Sequence, residues 1–308
     1  MPFRFSITPF YNTRQFYHGL DGGHVDSGFD LAIECNHSPV KDQKLVCGDL
    51  DGTTMSMGKY VTAKLVSHTD VVPTDPVAVA AGLTYHEGNG LFVRESGSME
   101  TPADLAGARV GIHDTTLAMT YHKAVLEERF DLDPSKIEWV ADTHQELADW
   151  MDRGDLDAVE RINDWYWAWR DGDEYRLLYD MAQEWQRVHG YYPLVHLVSV
   201  DGDLASSAPD RIEQFVDALR ASRAYLNDNR EAVLETFAAE DGGEWTGERT
   251  VEALERVCYG VDAPFELGED QRRNVRDWTA YADRYDVFAS VSISDDRLFP
   301  KPFERRNR

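Results

Sequence analysis

Histidine and hydroxyl side chains that follow predicted strands are the groups of this sequence best suited to chemistry. His113 ends the apolar segment ARVGIH, and Thr115 and Thr116 stand shortly after it. Imidazole exchanges protons near neutral pH, whereas hydroxyl groups and free backbone N–H groups at the start of a helix bind anions. We therefore predict His113 as a catalytic residue and both threonines as substrate-binding residues, although each threonine could equally be a plain helix cap.

A second polar set follows the turn GDLDG, residues 48–52. Thr53, Thr54 and Ser56 lie between this turn and a segment that predicts a helix over residues 56–65. Their position matches that of the first set, so we predict that they contact the same substrate from a second lobe. Arg94 ends the predicted strand GLFVR and could pair with a substrate carboxylate or remain a surface charge.

The aromatic run NDWYWAWRDGDEY, residues 163–175, offers a flat apolar surface. If this segment is extended, Trp165 and Trp167 point to the same side. Such a wall could stack on an aromatic substrate, which places both residues among the predicted substrate-binding set. The alternative is that the run packs between two lobes.

The elements that must position these residues alternate between strand and helix. Strands are predicted at FRFSITPF, FDLAIEC, VVPTDPVAVA, GLFVR, ARVGIH, IEWVAD and YYPLVHLVSV, and helices at LAMTYHKAVLEERF and HQELADWMDR. From Pro209 onward the helical periodicity dominates. This pattern predicts an α/β fold followed by a helical C-terminal region.

A near copy of the first turn, GDLDA, occupies residues 154–158. In each copy the leucine should pack inward, and Asp51 or Asp157 should accept backbone N–H bonds at the turn. The pentapeptide lacks the further oxygen ligands of a calcium loop. The repeated pentapeptide therefore predicts a duplicated architecture rather than a metal site.

The acidic composition restricts the partners. The chain has 56 Asp and Glu against 31 Lys and Arg, a formal net charge of −25, which repels phosphate backbones and anionic membranes. Neither a membrane-spanning run nor a secretory signal is recognisable, and the three cysteines have no paired spacing. We predict a cytoplasmic protein with no nucleic-acid and no membrane partner.

Four segments resemble, in the same order, those of 4,5-dihydroxyphthalate decarboxylase-like proteins, which belong to the type II periplasmic binding protein superfamily. They are YHEGNGLFVRESGSMETPADLAGARVGI, AVLEERFDLDPSKIEWV, YRLLYDMAQEWQRVHGYYPLVHLVSVDGDL and NVRDWTAYADRYDV with DDRLFP. The resemblance implies a two-lobed α/β fold with a ligand cleft between the lobes. Residues 1–94 and 200–308 would form the first lobe, and residues 95–199 the second.

The resemblance also implies functional residues. His86 and His196 match histidines of the family's motifs and are therefore predicted to be catalytic, and Tyr11 joins the predicted substrate-binding set. The arginine that precedes the first of these histidines in the family is replaced here by Tyr85.

Two functions from different classes remain open at this point. The first is a cytoplasmic lyase that decarboxylates a small aromatic carboxylate, with one histidine protonating the ring carbon and polar groups stabilising the developing charge. Within this class, another carbon–carbon or carbon–oxygen lyase, such as a dehydratase, stays open. The alternative is a non-catalytic solute-binding protein of an ABC transporter, which closes around a small organic anion. No cofactor is predicted, although histidines that meet Asp or Glu in space could bind a divalent metal ion, and the sequence leaves a homo-oligomer open.

Overall fold

The computed structural model describes residues 1–67, 73–240, 250–259, 261–262, 265–288 and 293–300. The strands are β1 Phe3–Ile7, β2 Leu31–Cys35, β3 Gly52–Ser56, β4 Val77–Ala81, β5 Thr84–Tyr85, β6 Asn89–Arg94, β7 Arg109–Ile112, β8 Glu138–Ala141, β9 Ala158–Ile162, β10 Tyr175–Asp180, β11 His196–Val200 and β12 Val261–Asp262. The helices are α1 Tyr11–Arg14, α2 His18–Asp21, α3 Ser38–Val46, α4 Met57–Val66, α5 Leu117–Phe130, α6 His144–Arg153, α7 Asn163–Arg170, α8 Met181–His189, α9 Gly202–Ser207, α10 Pro209–Asp228, α11 Arg230–Ala239, α12 Val251–Tyr259, α13 Glu269–Arg284 and α14 Asp295–Leu298. The predicted α/β alternation and the helical C-terminal region are both observed; the predicted strand over residues 71–80 begins outside the described residues.

The first sheet has the strand order β2-β1-β3-β11-β4. β1 pairs in parallel with β2 and β3, whereas β11 runs antiparallel to β3 and β4. Helix α10 covers this sheet with buried Ile212, Phe215 and Leu219, which recur at helical spacing. The ring of Phe215 stacks on Phe3 of β1 at a centroid distance of 4.4 Å, so the long helix is fixed to the sheet by apolar contact.

The second sheet has the order β10-β6-β9-β7-β8. β7 is parallel to β8 and β9, and β6 is antiparallel to β9 and β10. Helix α6 packs Leu147 and Met151 into an apolar cluster with Phe92 of β6. Tyr121 of α5 meets Trp185 of α8 edge-to-face at 4.7 Å. These contacts bury apolar side chains of α5, α6 and α8 in the interior.

Both sheets contain the same unit, and the echoed pentapeptide closes it. The unit is strand–helix–strand–helix–strand, with the order β2-β1-β3 in the first sheet and β8-β7-β9 in the second. Gly48 and Gly154 adopt φ of +82° and +79°, which glycine tolerates without strain. The next N–H bonds back to the preceding helix, from Asp49 to the carbonyl of Lys44 and from Asp155 to that of Trp150, each at 2.8 Å.

The remaining residues of the pentapeptide behave as predicted. Leu50 and Leu156 are both 3% exposed. The carboxylate of Asp51 accepts the backbone N–H of Arg4 at 2.7 Å, and that of Asp157 accepts the N–H of Arg109 at 2.8 Å. Each aspartate therefore ties the third strand of its unit to the start of the first strand. The predicted duplication is confirmed in this sense.

Two chain segments connect the sheets. The chain leaves the first sheet after β4 and returns to it with β11, so β6 (89–94) belongs to the second sheet and β11 (196–200) to the first. The predicted boundaries at residues 94 and 199 would place β6 with the first sheet and β11 with the second. The chain in fact passes from one sheet to the other in the connecting segments that precede these two strands. There the N–H of Val195 bonds to Leu83, and that of Tyr85 bonds to Pro193. The division into two lobes remains a prediction.

The aromatic run forms a helix, which corrects the extended conformation considered above. Trp165 and Trp169 lie one turn apart in α7, and both rings face the guanidinium of Arg161, at 5.2 Å and 4.1 Å. Spacing of four residues places two side chains on one helix face, and a buried cation stacks well on indole rings. Within the described ranges, the helices are too short or too polar to traverse a bilayer.

We expect Asp157→Ala to lower the free energy of unfolding by about 1–3 kcal/mol, because the N–H of Arg109 loses a charged acceptor. Asp155→Ala, in the same pentapeptide, is the matched control. The carboxylate of Asp155 pairs with Arg153 at the surface, where side-chain exposure is 49% and 55%, so its loss should change stability by less than about 0.5 kcal/mol. Urea unfolding followed by circular dichroism measures both values, and equal losses would contradict the assigned role.

Candidate functional site

A cavity of about 810 Å³ lies at the carboxyl ends of the parallel strands of both sheets. Ligands bind at this edge of α/β sheets because the strand-to-helix loops converge there. The first sheet and its loops contribute Phe10, Asn12, His37, Pro39, Ser56, Lys59, Val195 and His196. The connecting segment and the second sheet contribute Tyr85, Asn89, residues 113–118, Tyr121, Asp142, Thr143, His144, Ile162 and Asn163.

Five of the predicted site residues line this cavity: Ser56, His113, Thr115, Thr116 and His196. The first four follow parallel strands β3 and β7, which explains why strand ends were informative. The hydroxyl of Ser56 caps α4 by accepting the N–H of Lys59 at 3.3 Å. His196 begins the antiparallel strand β11, whose amino end reaches the same edge.

Two predicted threonines and Tyr11 lie behind the cavity wall. Thr53 and Thr54 are fully buried in β3, and the hydroxyl of Thr53 donates to the carbonyl of Ser6 at 2.8 Å. Tyr11 packs in a separate apolar cluster, with its ring 5.5 Å from that of Phe237. The structure brings none of the three to the cavity surface.

His86 and Arg94 also lie away from the cavity wall. The ring of His86 packs on Tyr192 at a centroid distance of 4.4 Å, and its carbonyl accepts from the amide of Gln183. The guanidinium of Arg94 donates to the carbonyl of Met151. These contacts give both side chains structural partners at the edges of the second sheet.

The two tryptophans support the wall without forming it. The ring of Trp165 lies 6.3 Å behind that of His144, nearly parallel to it. Trp167 packs edge-to-face on Tyr166 at 5.0 Å, and the guanidinium of Arg256 lies 5.2 Å from its ring. The stacking surface predicted for a flat substrate is therefore taken up by protein side chains.

His113 is paired with a carboxylate that the sequence reasoning missed. Its Nδ1 lies 2.5 Å from Oε2 of Glu160, which is 0% exposed in β9. Burial alone would lower the pKa of His113, but the Glu160 carboxylate outweighs it and the pKa is raised. Burial would likewise raise the pKa of Glu160, and the His113 and His122 rings hold it well below its usual range instead. A charged residue inside an apolar strand, DAVERI, was the available signal.

The other two histidines deep in the wall are neutral. Burial lowers the pKa of His196 to about 3, with the cation of Lys41 adding to the effect. Burial also lowers the pKa of His144 to about 3, and the stacked His113 ring, at 4.2 Å, adds to it. The Nδ1 atoms of His144 and His196 are buried and have no hydrogen-bond partner among the described residues.

A trio of side chains joins the two halves of the cavity floor. The amide nitrogen of Asn12 donates to the hydroxyl of Tyr85 at 3.0 Å and to Oδ1 of Asn163 at 2.9 Å. The Tyr85 hydroxyl donates to the same Oδ1 at 2.5 Å. Asn163 has φ of +52°, which is uncommon outside glycine and is concentrated at functional sites. Only the fold brings together these three distant positions, so spacing along the sequence gave no signal.

Several helices begin at the cavity. The first residues of α5, α6 and α7 and the cap of α4 all lie on its wall. Free N–H groups and the positive end of the helix dipole favour an anion at such positions. At α5, Asp114 already accepts the N–H groups of Thr116 and Leu117 at 2.7 Å and 3.0 Å. The exposed amine of Lys59, one turn into α4, adds a positive charge at the rim.

The described residues show no group of three His, Cys, Asp or Glu side chains arranged as metal ligands. Cys35, Cys47 and Cys258 are free thiols, and none of them lines the cavity. Besides neutral hydrogen-bond donors and acceptors, the wall therefore carries the charged side chains of Lys59, Asp114 and Asp142, and His113 with its carboxylate partner Glu160.

The fold and the cavity at its sheet edges define the class: the protein has the type II periplasmic binding protein fold, as the resemblance implied. The chain belongs to the NMT1/THI5-like family, whose model matches residues 22–232. No curated protein matches the sequence at a significant level. The narrower assignment to the decarboxylase-like proteins is not supported by these comparisons.

Solved structures with the same fold include binding proteins and an enzyme. The periplasmic aliphatic sulphonate-binding protein SsuA of Escherichia coli is 12% identical, with a TM-score of 0.74 over 100% of this chain and 94% of that one. The alkanesulfonate-binding protein SsuA of Xanthomonas axonopodis pv. citri, bound to MOPS, is 16% identical, with a TM-score of 0.69 over 98% and 95%. A cysteine-to-serine mutant of the desulfurization enzyme DszB, bound to biphenyl-2-sulfinic acid, is 15% identical, with a TM-score of 0.65 over 98% of this chain and 97% of that one.

The predicted cytoplasmic location is contradicted by these comparisons. It rested on the residues at the start of the sequence and on cysteine spacing, whereas the binding protein from Escherichia coli that shares this fold is periplasmic. The prediction of a small-molecule ligand agrees with the comparisons, since the named ligands of the solved structures are small organic anions or zwitterions.

We expect the three cavity histidines to titrate in different ranges. At pH 5, His144 and His196 should be neutral, because burial lowers their pKa values to about 3, whereas His113 should be protonated beside Glu160. Imidazole 1H–15N correlation spectra across a pH series measure each ring. Three overlapping titrations near the ordinary value of about 6.5 would contradict the assigned burial and pairing.

Proposed function

We propose that the protein is an ABC-transporter solute-binding protein for a small organic anion, carrying a sulfonate or a carboxylate. The observation that supports this most strongly is the cavity wall itself, which combines several helix starts with His113 and Lys59. Both features favour an anion. They supply local positive charge in a chain of net charge −25, on a wall that also carries the carboxylates of Asp114 and Asp142.

The rest of the ligand would be mostly apolar. Phe10, Leu117, Ile162 and Val195 line the cavity beside its polar groups, and a volume of about 810 Å³ falls in the range of small-molecule sites. The unpartnered amide oxygens of Asn12 and Asn89 are 2% and 5% exposed at the residue level. Each could accept one hydrogen bond from a donor on the ligand.

We further propose that binding closes two lobes, one built on each sheet. The paired connecting segments around Leu83 and Val195 would be the hinge, because short strand connections absorb most of the dihedral change in hinge closure. A protein with this role acts outside the cytoplasmic membrane, in agreement with the periplasmic location of its structural neighbour.

A carbon–carbon or carbon–sulfur lyase is the second candidate. It is supported by DszB, an enzyme with this fold, and by two predicted catalytic histidines, His113 and His196, that line the same cavity from the two sheets. The third, His86, lies outside the cavity and packs on Tyr192. A lyase would release carbon dioxide or sulfite from a ligand that the binding protein returns unchanged.

Alkanesulfonates and aromatic or aliphatic carboxylates, screened by thermal shift and then by calorimetry, test the proposal. We expect at least one to bind, and Lys59→Ala to weaken it by about threefold to tenfold, as for the loss of a partly exposed charge contact. Lys136→Ala is the matched control, since Lys136 is exposed and outside the cavity. Equal effects of the two substitutions would contradict the site.

Turnover separates the two candidates. Each binder is incubated with the protein, and carbon dioxide, sulfite and the residual ligand are measured. The solute-binding proposal predicts that the ligand is recovered intact. Stoichiometric release that is abolished by His196→Gln would instead establish the lyase.

A further inference from the structure

The buried carboxylate of Glu160 lies directly beneath the cavity, between two histidines. Its Oε2 is 2.5 Å from Nδ1 of His113, and its Oε1 is 3.5 Å from Nε2 of His122. His122 is itself 0% exposed, and its Nδ1 lies 2.8 Å from the hydroxyl of Tyr179. Glu160 thus belongs to a chain of four side chains that begins at the cavity wall and ends in the core of the second sheet.

An ionised carboxylate without water requires a positive partner, because burial of a lone charge is very costly. Besides His113 and His122, the charged or titratable groups around the Glu160–His113 pair are Arg161 on β9, Asp114 after β7, His144 on α6, and the hydroxyls of Tyr85 and Tyr179. Arg161 is held elsewhere: its guanidinium bonds to the carbonyl of His144 and stacks on two tryptophans. His113 is therefore the partner in direct contact that also reaches the cavity.

The orientation of His113 leaves one ring nitrogen for the ligand. Nδ1 is occupied by Glu160, so Nε2 is the nitrogen that can face the cavity, which His113 lines. The neighbouring His144 ring stacks on it at 4.2 Å and is neutral over the same pH range. His144 therefore does not compete for the proton.

We propose that Glu160 is a positioning residue that keeps His113 as a cationic Nε2–H donor to the anionic group of the ligand, so that binding is coupled to one proton. This inference rests on the proposed function, since it assigns the group that recognises the anion. Beyond that function, the inference gives a role to Glu160, a buried residue that does not touch the ligand. It also predicts that the affinity depends on pH, which anion binding by helix starts and Lys59 alone would not produce.

The sign of the coupling follows from the charge of His113. Below the pKa of His113 the donor is already protonated, and affinity for an anion of fixed charge is constant. Above it, binding must take up a proton, so affinity falls by at most about tenfold for each pH unit. Because Glu160 raises the pKa of His113, the fall begins at a higher pH in the native protein than it would without this carboxylate.

Calorimetric titration with butanesulfonate tests the proposal, because a sulfonate keeps one negative charge from about pH 5 to 9. The proteins are the wild type, Glu160→Gln, and Glu213→Gln as a control that removes an exposed carboxylate from α10. We expect Glu160→Gln to weaken binding by about tenfold or more near neutral pH and to move the pH at which affinity falls to a lower value. Glu213→Gln should change neither quantity.

Circular dichroism and thermal unfolding establish that each variant folds. If Glu160→Gln does not, His113→Asn replaces it, and the expected result is weak binding that no longer depends on pH. Wild-type affinity that is constant across this range, or an unchanged pH profile in the folded variant, would overturn the inference alone. If the wild type binds no sulfonate and no carboxylate, that result contradicts the proposed function rather than this inference. The pH titration of the His113 ring then tests its pairing with Glu160. Identical titrations in the wild type and in Glu160→Gln would overturn the inference.

Discussion

Parallel strands connected by helices all present their carboxyl ends at one edge, and the cavity of this protein depends on that constraint. The loops after β1, β2 and β3 meet those after β7, β8 and β9, so residues far apart in the sequence share one wall. The antiparallel strands β6 and β11 add residues from their amino ends. The aspartate of each echoed pentapeptide fixes the third strand to the first, and this register sets where the loops emerge.

The protonation state of each histidine at the cavity depends on its burial and its neighbours rather than on the net charge of the chain. The chain is strongly acidic, yet its cavity wall presents neutral histidines, helix starts, Lys59 and one histidine held by a carboxylate, beside Asp114 and Asp142. In a low-dielectric interior such contacts dominate over a distant, solvent-screened surface field. An acidic surface and a site for an anion are therefore compatible in one molecule.

Site residues that lie next to a strand end or a turn could be predicted from the sequence. Site residues that meet only through tertiary contacts could not. His113 and Thr116 were predicted because they lie at the end of a recognisable strand, and Ser56 because it lies between a turn and a predicted helix; neither signal depends on the ligand. Asn12, Tyr85 and Asn163 meet only after the chain has crossed between the sheets twice. The alternating tryptophans are also compatible with an extended segment, whereas stacking of Trp165 and Trp169 on buried Arg161 favours a helix. The resemblance selected His86, whose ring packs on Tyr192 outside the cavity.

The central claim is that the anionic group of a small ligand binds at the junction of the two sheets. A crystal structure of the protein grown with the tightest binder tests this most directly. The account predicts density for the ligand in the cavity, with a sulfonate or carboxylate oxygen within hydrogen-bond distance of Nε2 of His113. Full occupancy of a ligand elsewhere on the protein, with the cavity containing only water, would contradict it.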